Sequence, residues 1–222
     1  PLLGKEYHAL ALDLPGHGNS DELPKDYAIE DYARSVVAFM DSLGINKASL
    51  VGHHGSAFIV NEIAANFAGR VDKVILQDCP FYKRPQGGRV MLDMYQCQDQ
   101  VLKPDGSHLV KEWEYLKQYS PDVSLEILHL FTIAKVLAGK AGVKYYRAAA
   151  TYDNAEKVKL ITQPTLLLAG RNEYFVRNVE LLKQRIPRSR TAFIEDARLF
   201  VSHTHPQQYA AAIAQFLRNP GV

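Results

Sequence analysis

The residues best suited to chemistry in this chain are two adjacent histidines at a strand-to-helix junction. The stretch Ala48–Ala57 runs from aliphatic residues through Gly52 to His53 and His54, after which small residues open a helical pattern. This is the form of a nucleophile elbow, G-x-S-x-G, in which a sharp turn lifts one side chain above a parallel sheet. His54 stands where the motif has serine. Its imidazole can act as a general base or nucleophile, because an unperturbed pKa of about 6.5 suits proton transfer at neutral pH.

A purely structural role for His54 is the alternative. The elbow holds its central residue at positive φ, and histidine is among the few non-glycine residues enriched there. His54 would then be a side chain that the turn tolerates without using it. The sequence leaves both interpretations open.

Strands alternating with helices must position this elbow. Short apolar runs bounded by glycine, proline or charge predict five strands, which are Ala9–Asp13, Ala48–Val51, Lys73–Gln77, Thr165–Ala169 and Thr191–Ile194. Helical periodicity follows most of them, at Tyr27–Leu43, from the elbow to Phe67, at Val176–Ile186 and at Pro206–Leu217. This alternation predicts an α/β fold with a doubly wound, mostly parallel sheet.

The middle of the chain breaks the alternation. From about residue 81 to 159 the sequence has helical stretches rich in tyrosine, tryptophan and charge instead of β–α units. We therefore expect a core in two parts, residues 1–80 and 160–222, with a helical lid inserted at residues 81–159.

These features together resemble the α/β-hydrolase superfamily over nearly the whole chain. Asp13–Ser20 reads D-L-P-G-H-G-N-S, which is similar to the family's D-x-P-G-x-G-x-S loop after its fourth strand. The elbow, the helical insertion and the segment Pro164–Gly170 follow at the spacing of the family. The resemblance implies that the first strands of the sheet, and a His-Gly loop supplying one amide of the oxyanion hole, would lie upstream of Pro1.

The resemblance also implies where a catalytic triad would lie. The acid usually comes three residues after the glycine that closes the strand following the lid, which is Glu173 after Gly170. The base histidine is expected about seven residues before Pro206, where this chain has Leu199. With His54 for serine and Leu199 for histidine, the triad is degenerate. Losing either residue typically costs about 10⁶ in turnover, which excludes serine-type acyl transfer.

The resemblance and the residues together suggest a hydrolase-like enzyme for small apolar esters, lactones or related carbonyl compounds. We expect His54 to swing towards Glu173, so that the carboxylate raises the imidazole pKa and the dyad activates water as a general base. The competing hypothesis is a catalytically inactive ligand-binding or regulatory protein on the same scaffold. Candidate residues for binding the apolar substrate or ligand are His53, Gly55, His108, Trp113, Tyr146 and Phe200.

The composition limits the classes of partner that this chain is expected to bind. A net charge of +2 with scattered Lys and Arg gives no reason to expect binding to nucleic acid or to a membrane surface. Cys79 and Cys97 fall in no metal or redox spacing, so we predict no metal, no cofactor and a reducing, cytoplasmic location. The chain opens at Pro1 and is interpreted as a fragment. A bare sheet edge would otherwise need a partner chain, as in a homodimer.

Overall fold

The centre of the molecule is a parallel β-sheet. In the computed structural model, which describes residues 2–22, 24–82 and 102–221, the sheet has four strands in the order β1-β2-β3-β4. The strands are β1 (Ala48–His53), β2 (Val71–Gln77), β3 (Thr165–Gly170) and β4 (Ser189–Ile194). Every neighbouring pair is parallel, which confirms the predicted α/β sheet. All carboxyl ends therefore open at one edge, where α/β proteins bind their ligands.

The predicted strand Ala9–Asp13 is wrong. Residues 8–14 form no strand, and Leu10 is 48% exposed. A strand needs a neighbour that completes its ladder of hydrogen bonds. Within the described ranges no such neighbour lies beside this segment, and β1 is the edge of the sheet, with Val51 44% exposed.

Helices pack on both faces of the sheet. The α-helices are α1 (Ile29–Ser42), α2 (Ser56–Asn66), α3 (Ser107–Lys117), α4 (Leu125–Thr151), α5 (Asn154–Lys157), α6 (Val179–Lys183), α7 (Val201–Thr204) and α8 (Pro206–Arg218). Short 3₁₀ helices lie at Leu3–Lys5, Ala68–Arg70, Val158–Leu160 and Tyr174–Asn178. In the part of the chain that these bounds cover, no helix combines the length and apolar character that crossing a membrane requires.

Two apolar clusters hold the layers together. On one face, residues of α2 such as Phe58 and Ile63 pack with Tyr32 of α1 in the larger cluster. On the other face, Ile213 and Phe216 of α8 pack in a second cluster with aliphatic residues of β2 and β3. The strand β3 is buried along its whole length, as expected for an aliphatic strand covered on both faces. The sheet is thus a fixed platform for the side chains at its carboxyl edge.

The long helix α4 is broken at one residue. Gly139 adopts φ 47° and ψ −125° inside the helix, a backbone conformation that is essentially restricted to glycine. The residues on either side of this break contribute to a cavity described below. Together with α3 and α5, α4 lies within the stretch predicted as a lid. The boundaries 81–159 stay a prediction, and residues 83–101 lie outside the described residues.

Candidate active site at the strand-to-helix elbow

The elbow is built by a close approach of strand and helix. A Cβ added to Gly52 would lie 2.7 Å from the Cα of Ala57, so only glycine allows α2 to pack this tightly against β1. His54 then takes φ 50°, the left-handed conformation that the sequence predicts for the centre of an elbow. Its backbone N–H donates to the carbonyl of Gln77 at 3.1 Å, which ties the turn to β2.

Glu173 reaches the same place from the end of β3. A Cβ on Gly170 would lie 2.7 Å from the carbonyl oxygen of Ala197, so glycine lets the chain turn closely under the loop that follows β4. Glu173 comes three residues later and caps the 3₁₀ helix Tyr174–Asn178 by accepting a hydrogen bond from the Phe175 N–H. Its side chain is held by this cap and the residue is only 7% exposed.

The structure brings His54 and Glu173 together. The Nε2 atom of His54 lies 3.1 Å from Oε1 of Glu173, and their side chains are 17% and 4% exposed. Nε2 is buried and lacks the alignment of a hydrogen bond with any described residue. The ring packs edge-on against Phe175, with centroids 5.1 Å apart. The two atoms are thus within hydrogen-bonding distance but are not aligned for a hydrogen bond.

Burial dominates the protonation of this pair. It lowers the pKa of His54 to about 3, which is opposite to the rise expected from the carboxylate alone. Burial also raises the pKa of Glu173 to about 7, against the lowering effect of the Phe175 and Tyr174 N–H groups and of Arg177. The expectation of a more basic imidazole is therefore wrong, because both groups lose water that would solvate their charged forms. Of these two groups, Glu173 is the one whose pKa lies near neutral pH.

A second histidine–carboxylate pair lies beside the first. Nε2 of His53 is 3.9 Å from Oδ2 of Asp78, and the rings of His53 and His54 are 4.4 Å apart. Burial and the neighbouring Glu173 raise the pKa of Asp78 to about 7. One oxygen of Asp78 accepts from the Gly170 N–H at 2.9 Å and the other from the Gln77 amide at 3.1 Å.

Three of these side chains carry atoms that could bind a metal ion. Among the described residues, the group that could hold an ion is His53, His54 and Asp78, whose ligand atoms lie within 4.8 Å of one another. Donors around a tetrahedral zinc ion at about 2.0–2.1 Å would lie about 3.4 Å apart. The ligand atoms of His53, His54 and Asp78 are spread more widely than this. Both oxygens of Asp78 also already accept hydrogen bonds.

The nearby serine has a structural role. Ser56 follows the elbow by two residues, and its Oγ accepts a hydrogen bond from the His53 N–H at 2.8 Å and donates to the His53 carbonyl at 2.9 Å. The hydroxyl thus stabilises the turn at the start of α2 and is not presented as a nucleophile.

A cavity of about 340 Å³ opens above the elbow. His54 and Glu173 contribute to its floor, and its walls are mainly aromatic or aliphatic. Of the residues predicted to bind, His53, Tyr146 and Phe200 line this cavity, and Gly55 lines a neighbouring one of about 200 Å³ that also contacts His54. His108 and Trp113 lie outside both linings. Trp113 packs instead with Leu116, Leu128 and Phe200.

Leu199 also lines the cavity, at the position where the family pattern expects a base histidine. Its neighbour Phe200 stacks against Phe131 of α4, with ring centroids 4.4 Å apart. His203 packs edge-on against Phe131, with ring centroids 5.0 Å apart, and is exposed. The wall facing the elbow therefore offers a ligand apolar contacts where a triad would offer an imidazole.

Sequence reasoning missed several aromatic lining residues. They are Tyr115, Tyr119, Phe131, Tyr174 and Phe175. The high aromatic content of residues 81–159 was a signal for some of them, but the face of each helix that meets the cavity is set by tertiary packing. Tyr174 and Phe175 carried a simpler signal, since they directly follow Glu173.

A parallel sheet with an elbow after β1 and a carboxylate after β3 defines the scaffold of an α/β hydrolase. The family model described as alpha/beta hydrolase fold matches residues 1–206. The chain belongs to this family.

Individual relatives are more distant. The chain is 23% identical to a poly(3-hydroxyalkanoate) depolymerase of Ectopseudomonas oleovorans over 97% of its own length and 77% of that protein. Shorter matches, 32–36% identical, cover about a third of the chain and 14–26% of the matched proteins.

Solved structures agree on the fold. An esterase from Thermogutta terrifontis has a TM-score of 0.75 at 20% identity, covering 94% of this chain and 79% of the other. An enol-lactonase from Burkholderia xenovorans LB400 has a TM-score of 0.73 at 20% identity, covering 93% and 79%. At this level of identity the likeness shows the fold alone.

Proposed function

We propose that this protein hydrolyses small, apolar esters or lactones by general-base catalysis, with His54 as the base and Glu173 as the residue that orients it. The observation that carries the proposal is the 3.1 Å approach of His54 Nε2 to Glu173 Oε1 at the floor of an apolar cavity. By their names, the solved structures with the same fold include an esterase and an enol-lactonase, which supports an ester or a lactone as the class of substrate.

The two ring nitrogens of His54 have different tasks in this mechanism. When Glu173 is ionised, it accepts the proton of Nε2–H and leaves the lone pair of Nδ1 for a molecule in the cavity. A water molecule attacks the carbonyl carbon and gives its proton to Nδ1. The tetrahedral intermediate then breaks its bond to the leaving oxygen, which takes that proton back. The products are a carboxylic acid and an alcohol, and the dyad returns to its starting state.

Protonation of Glu173 would reverse this arrangement. A neutral carboxyl group donates to Nε2, which forces the proton of the neutral imidazole onto Nδ1, where it can no longer accept one from water. Because burial raises the pKa of Glu173 to about 7, the base should form as the pH rises through that value. The low pKa of His54, about 3, keeps the ring neutral throughout this range but makes it a weak base. We therefore expect modest turnover and a preference for activated esters.

The test compares His54→Ala and Glu173→Gln with the parent on a series of p-nitrophenyl esters. Each substitution should lower the rate towards background, by about 10²–10⁴-fold at the level of general-base catalysis. His129→Ala is the matched control, since His129 is exposed on α4 and lies outside the cavity lining. Serine-directed phosphonates should leave the parent unlabelled, because no acyl-serine forms.

One observation favours a second candidate. Leu199 and Phe200 give the cavity an apolar wall where the family pattern has its base, which suits a protein that binds a ligand without turning it over. Equal background rates for the parent and both variants, together with saturable binding of an apolar ligand, would select this function over hydrolysis.

A further inference from the structure

The hydroxyl group of Tyr145 is a polar group near the elbow that the dyad does not use. Tyr145 lies on α4 and is 8% exposed, and its Oη is buried without a hydrogen-bond partner among the described residues. Burial raises the pKa of this phenol well above its usual 10, so it keeps its proton and can only be a neutral donor or acceptor. Buried hydroxyl groups are normally paired, and an exception in a functional cavity calls for an explanation.

This hydroxyl points at the start of α2. A Cβ added to Gly55 would lie 2.9 Å from Oη of Tyr145, so glycine at this position makes room for the phenol. The N–H of Gly55 makes no backbone hydrogen bond to a described residue. Gly55 is the N-cap residue of α2, which is eleven residues long, and unpaired N–H groups and the helix dipole at such an end favour negative charge. Tyr145 and His54 line both the larger and the smaller cavity.

We propose that Tyr145 Oη donates a hydrogen bond to the carbonyl oxygen of a bound ligand, with the Gly55 N–H as the second donor. In the reaction proposed above, this oxygen becomes the oxyanion of the tetrahedral intermediate when water adds to the carbonyl carbon. A neutral phenol of high pKa suits this task, since it stabilises the developing charge without giving up its proton. Tyr145 would then be a catalytic residue supplied by the inserted helices.

This inference rests on the proposed carbonyl chemistry, but it can be tested without turnover. The probe is acetophenone labelled with ¹³C at its carbonyl, a ketone that cannot be hydrolysed. Its carbonyl stretch in the bound state should lie at lower wavenumber in the parent than in Tyr145→Phe. Tyr32→Phe is the matched control, because Tyr32 also carries a buried, unpaired hydroxyl, packs against Tyr145 with ring centroids 5.3 Å apart and lies outside both cavity linings. It should leave the band where it is in the parent.

The kinetic arm measures kcat and KM for p-nitrophenyl esters. Tyr145→Phe should lower kcat by about 10²–10³-fold, the usual cost of losing one oxyanion donor, with little change in KM, while Tyr32→Phe keeps the kcat of the parent. An unchanged carbonyl band in Tyr145→Phe would overturn the inference, as would failure of the ketone to bind the parent. So would a normal kcat in this variant while His54→Ala is inactive, and the proposed function would then still stand. If no variant affects hydrolysis but Tyr145→Phe still shifts the band, the hydroxyl recognises carbonyl ligands and only the proposed function fails.

Discussion

Two buried glutamates of this molecule have opposite surroundings. Glu62 on α2 is 3% exposed, and its carboxylate meets the ammonium group of Lys157 at 2.8 Å, the hydroxyl of Tyr152 at 3.0 Å and the side-chain amide of Asn66. Glu173 is 7% exposed, and no cation of the described residues forms an ion pair with it apart from the imidazole of His54 if that ring were charged.

The difference separates a carboxylate that stabilises the fold from one that is a candidate for chemistry. A buried charge is tolerated when a counter-charge and hydrogen bonds replace its lost water, and Glu62 has both. It ties α2 to the end of α4 and to α5. Glu173 has a backbone cap and a neutral ring, so its charged form is poorly compensated and its pKa rises to about 7. A carboxyl group that titrates near neutrality in a cavity is a candidate for function on physical grounds.

The largest expected effect is on turnover. Glu173→Gln should lower kcat/KM for p-nitrophenyl esters by about 10²–10⁴-fold, whereas Glu62→Gln should keep the value of the parent per folded molecule. Circular dichroism gives the folded fraction of each variant, and the measured activity is divided by that fraction. Equal losses in both variants would erase the distinction between the two carboxylates.

The free energy of unfolding should show the reverse order, with the larger loss in Glu62→Gln and not in Glu173→Gln. Glu62→Gln leaves Lys157 without its counter-charge, and breaking a buried ion pair of this kind costs about 3–5 kcal/mol in the free energy of unfolding. Glu173→Gln should be as stable as the parent at pH 8, or more stable, since it removes an uncompensated charge. Urea unfolding followed by tryptophan fluorescence measures both. A Glu62 variant as stable as the parent would contradict the structural role.

The pH dependence sharpens the comparison further. The pKa of Glu173 rises from 4.5 to about 7 on folding, so its contribution to stability is fully present below pH 4.5 and is lost as the pH rises through 7. Relative to Glu173→Gln, the parent should lose up to about 3 kcal/mol over this range. Urea unfolding at pH 4.5, 6 and 8 measures the difference.

Over the same interval kcat/KM should rise with a midpoint near 7, and a flat profile would contradict the assignment of Glu173.

The smallest effect concerns the break in α4. Gly139→Ala places a side chain at φ 47° and ψ −125° and should cost about 1–3 kcal/mol of stability. Gly142→Ala is the matched control, because its Cβ would meet only Ala138 at 3.6 Å, and it should be neutral or slightly stabilising. Thermal unfolding distinguishes the two. If both variants were equally stable, alanine would fit the backbone conformation at position 139 without strain.

The sequence was most informative where local pattern decides the outcome. The aliphatic runs around Leu166 and Ile75 predict buried parallel strands, and the spacing from Gly170 leads to Glu173, which the structure places beside His54. The segment Ala9–Asp13 has the same kind of pattern, yet a strand also needs a neighbour, which pattern does not reveal. The direction of the His54 pKa depends on burial, and burial is a property of the assembled cavity. The contribution of Tyr145 depends on which face of α4 meets the elbow.

The cavity wall on α4 has one more consequence. Where this helix passes the cavity, Ala138, Gly139 and Gly142 line it, so much of the available space exists because side chains are absent. The proposed dyad of His54 and Glu173 stands at the strand ends, on separate elements from these small residues, whereas Tyr145 shares α4 with them. The size of an acceptable ligand can therefore change by single methyl groups at positions such as Gly142 without moving His54 or Glu173. The size of the ligand that the cavity accepts and the geometry of the dyad are, in this molecule, independently adjustable traits.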